Sequence, residues 1–430
     1  MGLIKIDKNQ QVTRTPEKAV LVGLSAESMD LSERSTEVTM EELEALLNTA
    51  GGVSCALVLQ NRDAPEPRTF IGSGKVKEIR DVIKANNCDL AVFDNELSPS
   101  QMRALSEELG VRVLDRSGLI LDIFAGRAKS AEGRLQVELA QYKYLLPRLV
   151  GMWAHLERQA ASGTGSPIGT RGPGETQLES DRRHIRRKIS KLEEELAGVR
   201  RVRGTQRRLR QKNGVKTVAL VGYTNAGKST LLNALTDSQI HTGNRLFDTL
   251  DTTTRRLTLD DATEVLLSDT VGFIRKLPHH LIEAFKATLE ELGYADMLVH
   301  VIDASNPDWA EQAVVVEKLI AELGASGTPC LDVFNKCDLA PGLPPRRENA
   351  VFVSAKTGEG LDKLKEAILR VVSMGAKRLK LRLPYEKGNL LEIIHKECKV
   401  LTTEYLETGV EITAVCPAEA FGRYREYVID

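Results

Sequence analysis

Val218-Ala219-Leu220-Val221-Gly222-Tyr223-Thr224-Asn225-Ala226-Gly227-Lys228-Ser229-Thr230 is the stretch that decides the fold. It is typical of a buried strand, a glycine-bounded loop and the start of a helix. Such a loop directs backbone N–H groups and the positive end of the helix dipole at phosphate oxygens. Gly222 and Gly227 permit the tight backbone, Lys228 reaches the β- and γ-phosphates, and the Ser229 hydroxyl ligates Mg²⁺. The sequence therefore predicts a phosphate-binding loop whose nucleotide contacts are Gly222 to Thr230.

A second motif follows at the end of another apolar run. Val265-Leu266-Leu267-Ser268 leads into Asp269-Thr270-Val271-Gly272, which is a strand ending in Asp-x-x-Gly. We expect Asp269 to hold Mg²⁺ through water and the Gly272 N–H to sense the γ-phosphate. Asp269, Thr270, Val271 and Gly272 are therefore added to the nucleotide site.

A third group of residues selects the base. Leu331-Asp332-Val333-Phe334 leads into Asn335-Lys336-Cys337-Asp338. A carboxylate at Asp338 accepts from guanine N1–H and N2–H₂, whereas adenine offers no matching pair of donors. Asn335 would brace the loop and contact the base, and Lys336 would cover its face. The backbone N–H groups of Ser354, Ala355 and Lys356 can bind guanine O6, so the order of motifs predicts a guanine-specific site on a doubly wound α/β fold.

The N-terminal part, residues 1–130, alternates apolar runs with helical patterns and predicts a small α/β domain with a mostly parallel sheet. Ser98 is a predicted helix cap. Phe70-Ile71-Gly72-Ser73-Gly74-Lys75 could form a second anion or nucleotide site, or a plain turn at a helix start. Four carboxylates near predicted strand ends are interpreted as caps or solvated side chains: Asp94, Glu96, Asp115 and Asp122.

Residues 131–212 predict a two-helix arm. The first helix, Ala131 to Trp153, should be kinked or ended by Pro147. Gly, Ser and Pro residues from Ala161 to Gly174 predict a long flexible loop, and a second helix begins near Glu175. Apolar residues at coiled-coil spacing predict that the two helices pair. They are Leu135, Leu139, Tyr142, Leu146 and Leu149 in the first helix, and Ile185, Ile189, Leu192, Leu196 and Val199 in the second.

The second helix of the arm carries most of the positive charge. The whole chain has a net charge of −1, but Arg182 to Lys212 holds 13 Lys and Arg against three Glu, which leaves about −11 for the rest. Ten of these cations are Arg, the residue that binds phosphate bidentately. Because few aromatic residues accompany them, contact with the phosphates of structured RNA is favoured over stacking on single strands.

The remaining segments complete a four-part organisation. We predict a GTPase domain over 213–374 and a small α+β domain over 375–430. The latter should contain an edge-like strand (Lys377 to Leu383), a helix to Lys396, strands at Val400 to Tyr405 and Val410 to Val415, and a final helix from Pro417. Six scattered cysteines without a CxxC pair argue against a zinc site or a disulfide framework. The lack of a signal-like or membrane-spanning run predicts a cytoplasmic protein, with peripheral membrane association as the alternative.

Motifs outside the nucleotide site carry a resemblance to a known family. Phe70 to Lys75, Asp94 to Gln101, Gly172 to Glu179 and the basic helix resemble the HflX family of translation-factor-like P-loop GTPases, over nearly the whole chain. The resemblance implies a first switch at Phe247-Asp248-Thr249-Leu250-Asp251, with Thr249 bound to Mg²⁺ and the γ-phosphate. From chemistry alone Thr252, Thr253 and Thr254 are alternatives. The candidate catalytic residues are then Lys228, Thr249 and Gly272, and the candidate metal ligands are Ser229, Thr249 and Asp269.

The resemblance also implies a function: a monomeric GTPase that binds the ribosome, chiefly the large subunit and its RNA, through Arg182 to Lys212 and separates or rescues stalled ribosomes. The tip from Ala160 to Thr170 is longer than the Gly-Gly-x-Gly form usual in the family and would approach the peptidyl transferase region. In that family the Gly72 to Lys75 turn is linked to ATP and RNA remodelling. The alternatives are an RNA-binding GTPase of ribosome assembly or signalling, and a nucleotide-gated scaffold without splitting activity.

Phe273 stands where many GTPases place a glutamine that orients the attacking water. An apolar ring cannot hydrogen-bond water, so we predict slow hydrolysis of GTP by the isolated protein and a faster rate when a partner reorders the switches. The alternative is that Phe273 simply packs in the core.

Overall fold

The protein was studied as a computed structural model that describes residues 16–161, 173–212, 215–236, 238, 246–247, 252–260, 263–277, 292–340, 342, 350–373, 377–416 and 423–429. The chain forms two compact units. The first is Met1–Val199 with Arg245–Phe247 and Arg275–Phe285. The second is Arg200–Asn244, Asp248–Ile274 and Lys286–Asp430.

The first unit contains a four-stranded parallel sheet. Its strands are β1 (Lys18–Ala26), β2 (Val53–Arg62), β3 (Leu90–Phe93) and β4 (Arg112–Asp115), in the order β2-β1-β3-β4. Its helices are α1 (Glu37–Ala50), α2 (Ser73–Asn86), α3 (Pro99–Leu109) and α4 (Arg116–Arg127). Side chains of β1 are buried on both faces, as in parallel sheets covered by helices. The predicted α/β class of this part is confirmed.

Local capping explains where three of these helices begin. Thr36 and Ser98 each form a capping box, the latter with Gln101, so the predicted Ser98 cap is confirmed. Asp115 caps α4 by accepting from the Gly118 N–H at 2.8 Å. The interpretation of Asp115 as a cap therefore holds.

The arm consists of α5 (Ala131–Ala161) and α6 (Pro173–Lys212). Of the two predicted effects of Pro147, a kink or an end of the helix, the end is wrong, because Pro147 lies inside α5. Proline removes one backbone hydrogen bond, and the remaining bonds of a 31-residue helix continue past it. Residues 162–172 of the predicted loop lie outside the described residues.

The apolar seam of the arm forms as predicted in its central part. Leu139, Leu192 and Leu196 are buried in one cluster, against which Leu135, Tyr142 and Ile189 pack. Lys143 and Glu193 form a salt bridge of 2.9 Å beside the seam. The pairing of the two helices is thus confirmed for these positions.

The second unit contains a six-stranded sheet of order β10-β9-β8-β5-β7-β6. The strands are β5 (Lys216–Gly222), β6 (Thr253–Thr258), β7 (Glu264–Asp269), β8 (Met297–Asp303), β9 (Cys330–Asn335) and β10 (Val351–Phe352), and all are parallel to their neighbours except β6. The helices are α7 (Lys228–Thr236), α8 (Trp309–Glu322) and α9 (Leu361–Val372). Because parallel strands end at one edge, this order brings Gly222, Asp269 and Asn335 to the same side of the sheet.

A three-stranded antiparallel sheet follows in the same unit. Its strands are β11 (Lys377–Leu383), β12 (Lys399–Leu406) and β13 (Gly409–Cys416), in the order β11-β13-β12, with helix α10 (Gly388–Glu397) and 3₁₀ turns at Tyr385–Lys387 and Arg425–Tyr427. These strands confirm the predicted α+β character. Residues 417–422 of the predicted final helix lie outside the described residues, and the four domain boundaries stay predictions. Within the described ranges, the helices are too short or too polar to cross a membrane.

The seam of the arm is testable by mutation. Leu196→Ala should destabilise the helix pair by about 2–5 kcal/mol, because Leu196 is only 4% exposed and its loss leaves a cavity. Amide hydrogen exchange in α5 near Leu139 should then accelerate by about 30-fold or more. The matched control is Val202→Ala on the same helix, where the side chain is 59% exposed. Equal exchange rates in the two variants would contradict the seam.

Candidate nucleotide-binding site

The phosphate-binding loop starts at the carboxyl end of β5, and two of its positions require glycine. Gly222 has φ +154°, and a Cβ there would lie 2.3 Å from the Val301 carbonyl oxygen. Gly227 has φ +92°, and a Cβ there would lie 2.3 Å from Asn335 Nδ2. The loop is thus packed against β8 and against the start of the guanine motif, so only residues without a side chain fit.

Lys228, the first residue of α7, lies over this loop and is almost fully buried. Its Nζ donates to the carbonyls of Gly222 (3.1 Å) and Tyr223 (2.8 Å). Burial lowers the pKa of Lys228 to about 8, although the charge of Asp269 acts in the opposite direction. In the described part of the chain the hydrogen bonds of this buried ammonium go to two neutral carbonyls, and phosphate oxygens would bring it a counter-charge at close range.

The two described candidate metal ligands touch each other. Ser229 Oγ donates to Asp269 Oδ2 at 2.5 Å, and Asp269 is fully buried at the end of β7. A hydroxyl and a carboxylate are the hard oxygen donors that Mg²⁺ prefers, so this pair fits the ion. The third candidate, Thr249, lies outside the described residues.

The Asp-x-x-Gly motif lies directly against the phosphate-binding loop. The Thr224 N–H donates to the Phe273 carbonyl (2.7 Å), and the Phe273 N–H donates to the Gly222 carbonyl (3.1 Å). A Cβ on Gly272 would lie 2.9 Å from Thr224 Cα and 3.2 Å from Lys228 Nζ. A side chain at position 272 would therefore clash with Thr224, which explains the glycine. The backbone of Gly272 is next to the lysine that would bind the γ-phosphate.

Phe273 is buried, with 1% of its surface exposed. The alternative that its ring packs in the core is thus what the structure shows. A buried ring leaves no side-chain hydrogen-bonding group after Gly272 to orient a water molecule, which is the chemical basis of the predicted slow hydrolysis.

A cavity of about 570 Å³ joins the phosphate-binding loop to the guanine motif. It is lined by Asn225, Gly227, Thr230, Asn335, Lys336, Asp338, Leu339, Ser354, Ala355 and Lys356. Residues that are more than 100 positions apart in sequence thus meet around one space of suitable size for a base and its sugar.

The Asn335 side chain connects two of the segments that line this cavity. It is 2% exposed, its Nδ2 donates to the Ala226 carbonyl (2.9 Å), and its Oδ1 accepts from the Ala355 N–H (3.0 Å). One side-chain amide thus connects the phosphate-binding loop with the segment that would contact guanine O6.

The first-switch motif is described only at its first residue. Phe247 has φ +55° and packs within the first unit, edge-on against Phe124 of α4, with ring centroids 4.8 Å apart. Asp248, Thr249, Leu250 and Asp251 lie outside the described residues. Of the alternatives to Thr249, Thr253 and Thr254 belong to β6, where the Thr254 and Ser268 hydroxyls are 2.9 Å apart.

The sequence interpretation of Asp94 as a cap or a solvated side chain is wrong. Asp94 is fully buried and accepts from Ser35 Oγ (2.7 Å), Thr39 Oγ1 (2.9 Å), Arg116 Nη1 (2.8 Å) and Lys276 Nζ (2.5 Å). Burial alone would raise the pKa of Asp94, but the Arg116 and Lys276 cations hold it below its usual value. Its position after the wholly apolar strand β3 was the available signal, because carboxyl ends of parallel strands gather functional side chains.

The Gly72 to Lys75 turn has the geometry of a helix start. Gly72 is the residue before α2, and its N–H donates to Gln60 Oε1 at 3.0 Å. Lys75 Nζ lies 2.7 Å from Glu78 of the same helix. A protein acceptor thus binds the Gly72 N–H and a protein carboxylate pairs with the Lys75 ammonium, which favours the plain turn.

The basic helix α6 presents exposed cations. Among the side chains described there, the exposed ones include Arg183, Arg186, Arg187, Lys191, Arg200 and Arg201. Two of them have long contacts with acidic groups on the same helix: 3.6 Å from Arg183 to Glu179 and 3.7 Å from Lys191 to Glu195. Exposed pairs of this length contribute little, so the charges of Arg183 and Lys191 can still bind a partner.

Comparison with known proteins gives consistent matches along the chain. Residues 37–125 match the family described as "GTP-binding GTPase N-terminal", 127–210 the "GTP-binding GTPase Middle Region", and 217–336 the "50S ribosome-binding GTPase". The chain is 45% identical over 423 residues to the GTPase HflX of Caldanaerobacter subterraneus subsp. tengcongensis, covering 98% of this chain and 96% of that protein. It is 44% identical over 371 residues to the GTPase HflX of Escherichia coli K12, covering 83% and 86%.

A solved structure described as the crystal structure of SsGBP and its GDP complex is also similar. It has a TM-score of 0.47 and 25% sequence identity to this protein, and the alignment covers 83% of this chain and 99% of that chain.

The base-reading role of Asp338 is testable by exchanging its charge. Asp338→Asn should weaken GTP binding by about 100-fold or more and favour xanthosine nucleotides, because the amide can donate to the xanthine C2 carbonyl. Equilibrium binding of GDP and XDP measures both effects. The matched control is Asp332→Asn in the preceding strand β9, where the side chain contacts His300 rather than the cavity. An unchanged guanine preference in Asp338→Asn would reject the role.

Proposed function

The chain belongs to the HflX family of GTPases, and on that premise we propose that it hydrolyses GTP on the ribosome, chiefly on the large subunit, to separate or rescue stalled ribosomes. The observation that carries the proposal is the pairing of a nucleotide site matched by "50S ribosome-binding GTPase" with an exposed cationic helix. The nucleotide site would hydrolyse GTP, and the cationic helix would contact ribosomal RNA.

The nucleotide chemistry follows from the residues around the cavity. The backbone of Gly222 to Thr230 and the Lys228 ammonium bind the phosphates and compensate their charge. Asp338 accepts from the guanine edge, and Asn335 holds the two halves of the site together. Mg²⁺, when bound by Ser229 and Asp269, would neutralise charge on the β- and γ-phosphates.

Hydrolysis needs a water positioned in line with the γ-phosphate, and the buried Phe273 ring cannot hold one. The water must therefore be oriented by another part of the chain or by the partner. A requirement for a partner connects hydrolysis to binding, because GTP persists until the correct ribosomal surface is reached.

The arm contributes affinity through phosphate contacts. A helix with its cations exposed binds RNA mainly by counterion release, which makes binding strongly dependent on salt. The apolar seam to α5 keeps the helix rigid while its polar face stays open. Binding through shape and phosphates suits folded ribosomal RNA.

Dependence of hydrolysis on a partner can be measured by single-turnover assays. The isolated protein should hydrolyse bound GTP slowly, and purified large subunits should raise the rate by at least about tenfold, because they complete the site. Small subunits serve as the control. Fast hydrolysis by the isolated protein, or equal stimulation by both subunits, would contradict the proposal.

The role of the basic helix can be tested by charge reversal. Arg186→Glu/Arg187→Glu/Lys191→Glu should strongly weaken co-sedimentation with ribosomes in the presence of a GTP analogue and make the remaining binding less dependent on salt, while basal hydrolysis stays unchanged. The matched control is Lys77→Glu/Lys84→Glu/Lys363→Glu, which changes the total charge equally at exposed sites elsewhere. Subunit separation is scored in the same gradients. If the control loses binding equally, general charge rather than this helix is responsible.

A further inference from the structure

The side chain of Lys336, the second residue of the guanine motif, is fixed by an ion pair with Asp303. Lys336 Nζ lies 2.7 Å from Asp303 Oδ2, and the two side chains are 24% and 13% exposed. The backbone of Lys336 is in the left-handed region, with φ +62°, where lysine is uncommon. The charged end of this residue is therefore held by Asp303, and its backbone has a conformation that few lysines adopt.

Asp303 is itself fixed by its neighbours. Its Oδ1 accepts from the Ser305 N–H (3.0 Å) and from the Ser305 hydroxyl (2.6 Å), which leaves Oδ2 directed at Lys336. Asp303 is the last residue of β8 and pairs in register with Asn335, the last residue of β9. The Ala304 N–H donates to the Asn335 carbonyl at 2.9 Å, which extends this ladder by one bond. The carboxylate thus has a set position relative to the guanine motif.

The stem of Lys336 borders both parts of the nucleotide site. Its Cε lies 4.0 Å from the point that a Cβ on Gly227 would occupy, and the residue lines the cavity together with Asp338. The apolar methylene groups of a lysine can pack on a flat ring while its ammonium binds elsewhere. Tethering the ammonium to Asp303 therefore leaves the stem as one wall of the cavity.

We propose that Asp303 is a positioning residue for guanine nucleotides: it holds Lys336 so that the lysine stem forms the face on which the base packs, while Asp338 binds the base edge. The proposal rests on the assignment of the base to this cavity and needs no ribosome. The guanine motif would then have two separate roles. Asp338 selects the base, and Asp303, acting through Lys336, contributes affinity for any purine in the cavity.

A double-mutant cycle on nucleotide affinity tests this. Asp303→Ala should weaken GDP binding by about 5- to 30-fold, because Lys336 loses the partner that orders it. In a Lys336→Met background the same change should weaken binding by no more than about twofold. Asp303→Asn should lie between the two, since the amide keeps the Ser305 contacts but not the charge. Ser305→Ala, which leaves the ion pair intact, is the matched control and should stay within about threefold.

Two further readouts distinguish positioning from a structural role. The thermal midpoint of Asp303→Ala should match that of Ser305→Ala if the residue acts on the ligand rather than on the fold. In an Asp338→Asn background, Asp303→Ala should weaken XDP binding by the same factor by which it weakens GDP binding in the parent protein. The reason is that the Lys336 stem can pack on either base. Equal penalties with and without Lys336, or no loss of affinity, would overturn the proposal. If Asp338→Asn fails to change the base preference, the site assignment fails instead.

Discussion

The Asn335 side-chain amide is the contact on which the nucleotide site depends. It donates to the phosphate-binding loop at Ala226 and accepts from Ala355, and its own bulk requires glycine at position 227. Because these groups are buried, losing the amide would leave a carbonyl and an N–H without partners, at a cost of about 1–3 kcal/mol each. The amide therefore couples the loop predicted to bind phosphate to the segment predicted to bind the base, and a shift of either would break a buried hydrogen bond.

The strand order explains how residues so far apart come to share this site. In the order β10-β9-β8-β5-β7-β6, the central strand β5 has β8 on one side and β7 on the other, and the parallel strands end at one edge. Gly222, Asp269, Asp303 and Asn335 each stand at the end of one of these strands. The parallel arrangement thus brings the phosphate-binding loop, a candidate metal ligand, the partner of Lys336 and the bridging Asn335 amide to one edge of the sheet.

A second constraint lies in the first unit, where Asp94 pairs with two buried cations and Glu42 provides a second carboxylate for one of them, Arg116. Removing one member of a buried ion pair typically costs about 3–5 kcal/mol, because the remaining charge stays in an apolar environment. Lys276, one of the two cations, follows Gly272 by only a few residues and has φ +52°. Arg116 also donates to the Arg275 carbonyl at 3.2 Å. Arg275 and Lys276 thus belong to the first unit, where the backbone of the one and the side chain of the other are bound.

Local sequence patterns were sufficient to predict most of the secondary structure and the candidate residues of the nucleotide site. The glycines, Lys228, Asp269 and Asp338 follow from short motifs, the strands and helices from apolar periodicity, and the arm from heptad spacing, because each depends on neighbours within one or two turns. The tertiary structure alone decided that Asp94 is buried, that Phe247 packs on Phe124, that α5 continues past Pro147, and that Asp303 holds Lys336. The physical reason is distance along the chain. Burial and charge pairing depend on partners tens to hundreds of residues away. A sequence pattern gives the identity of a residue but not its tertiary contacts.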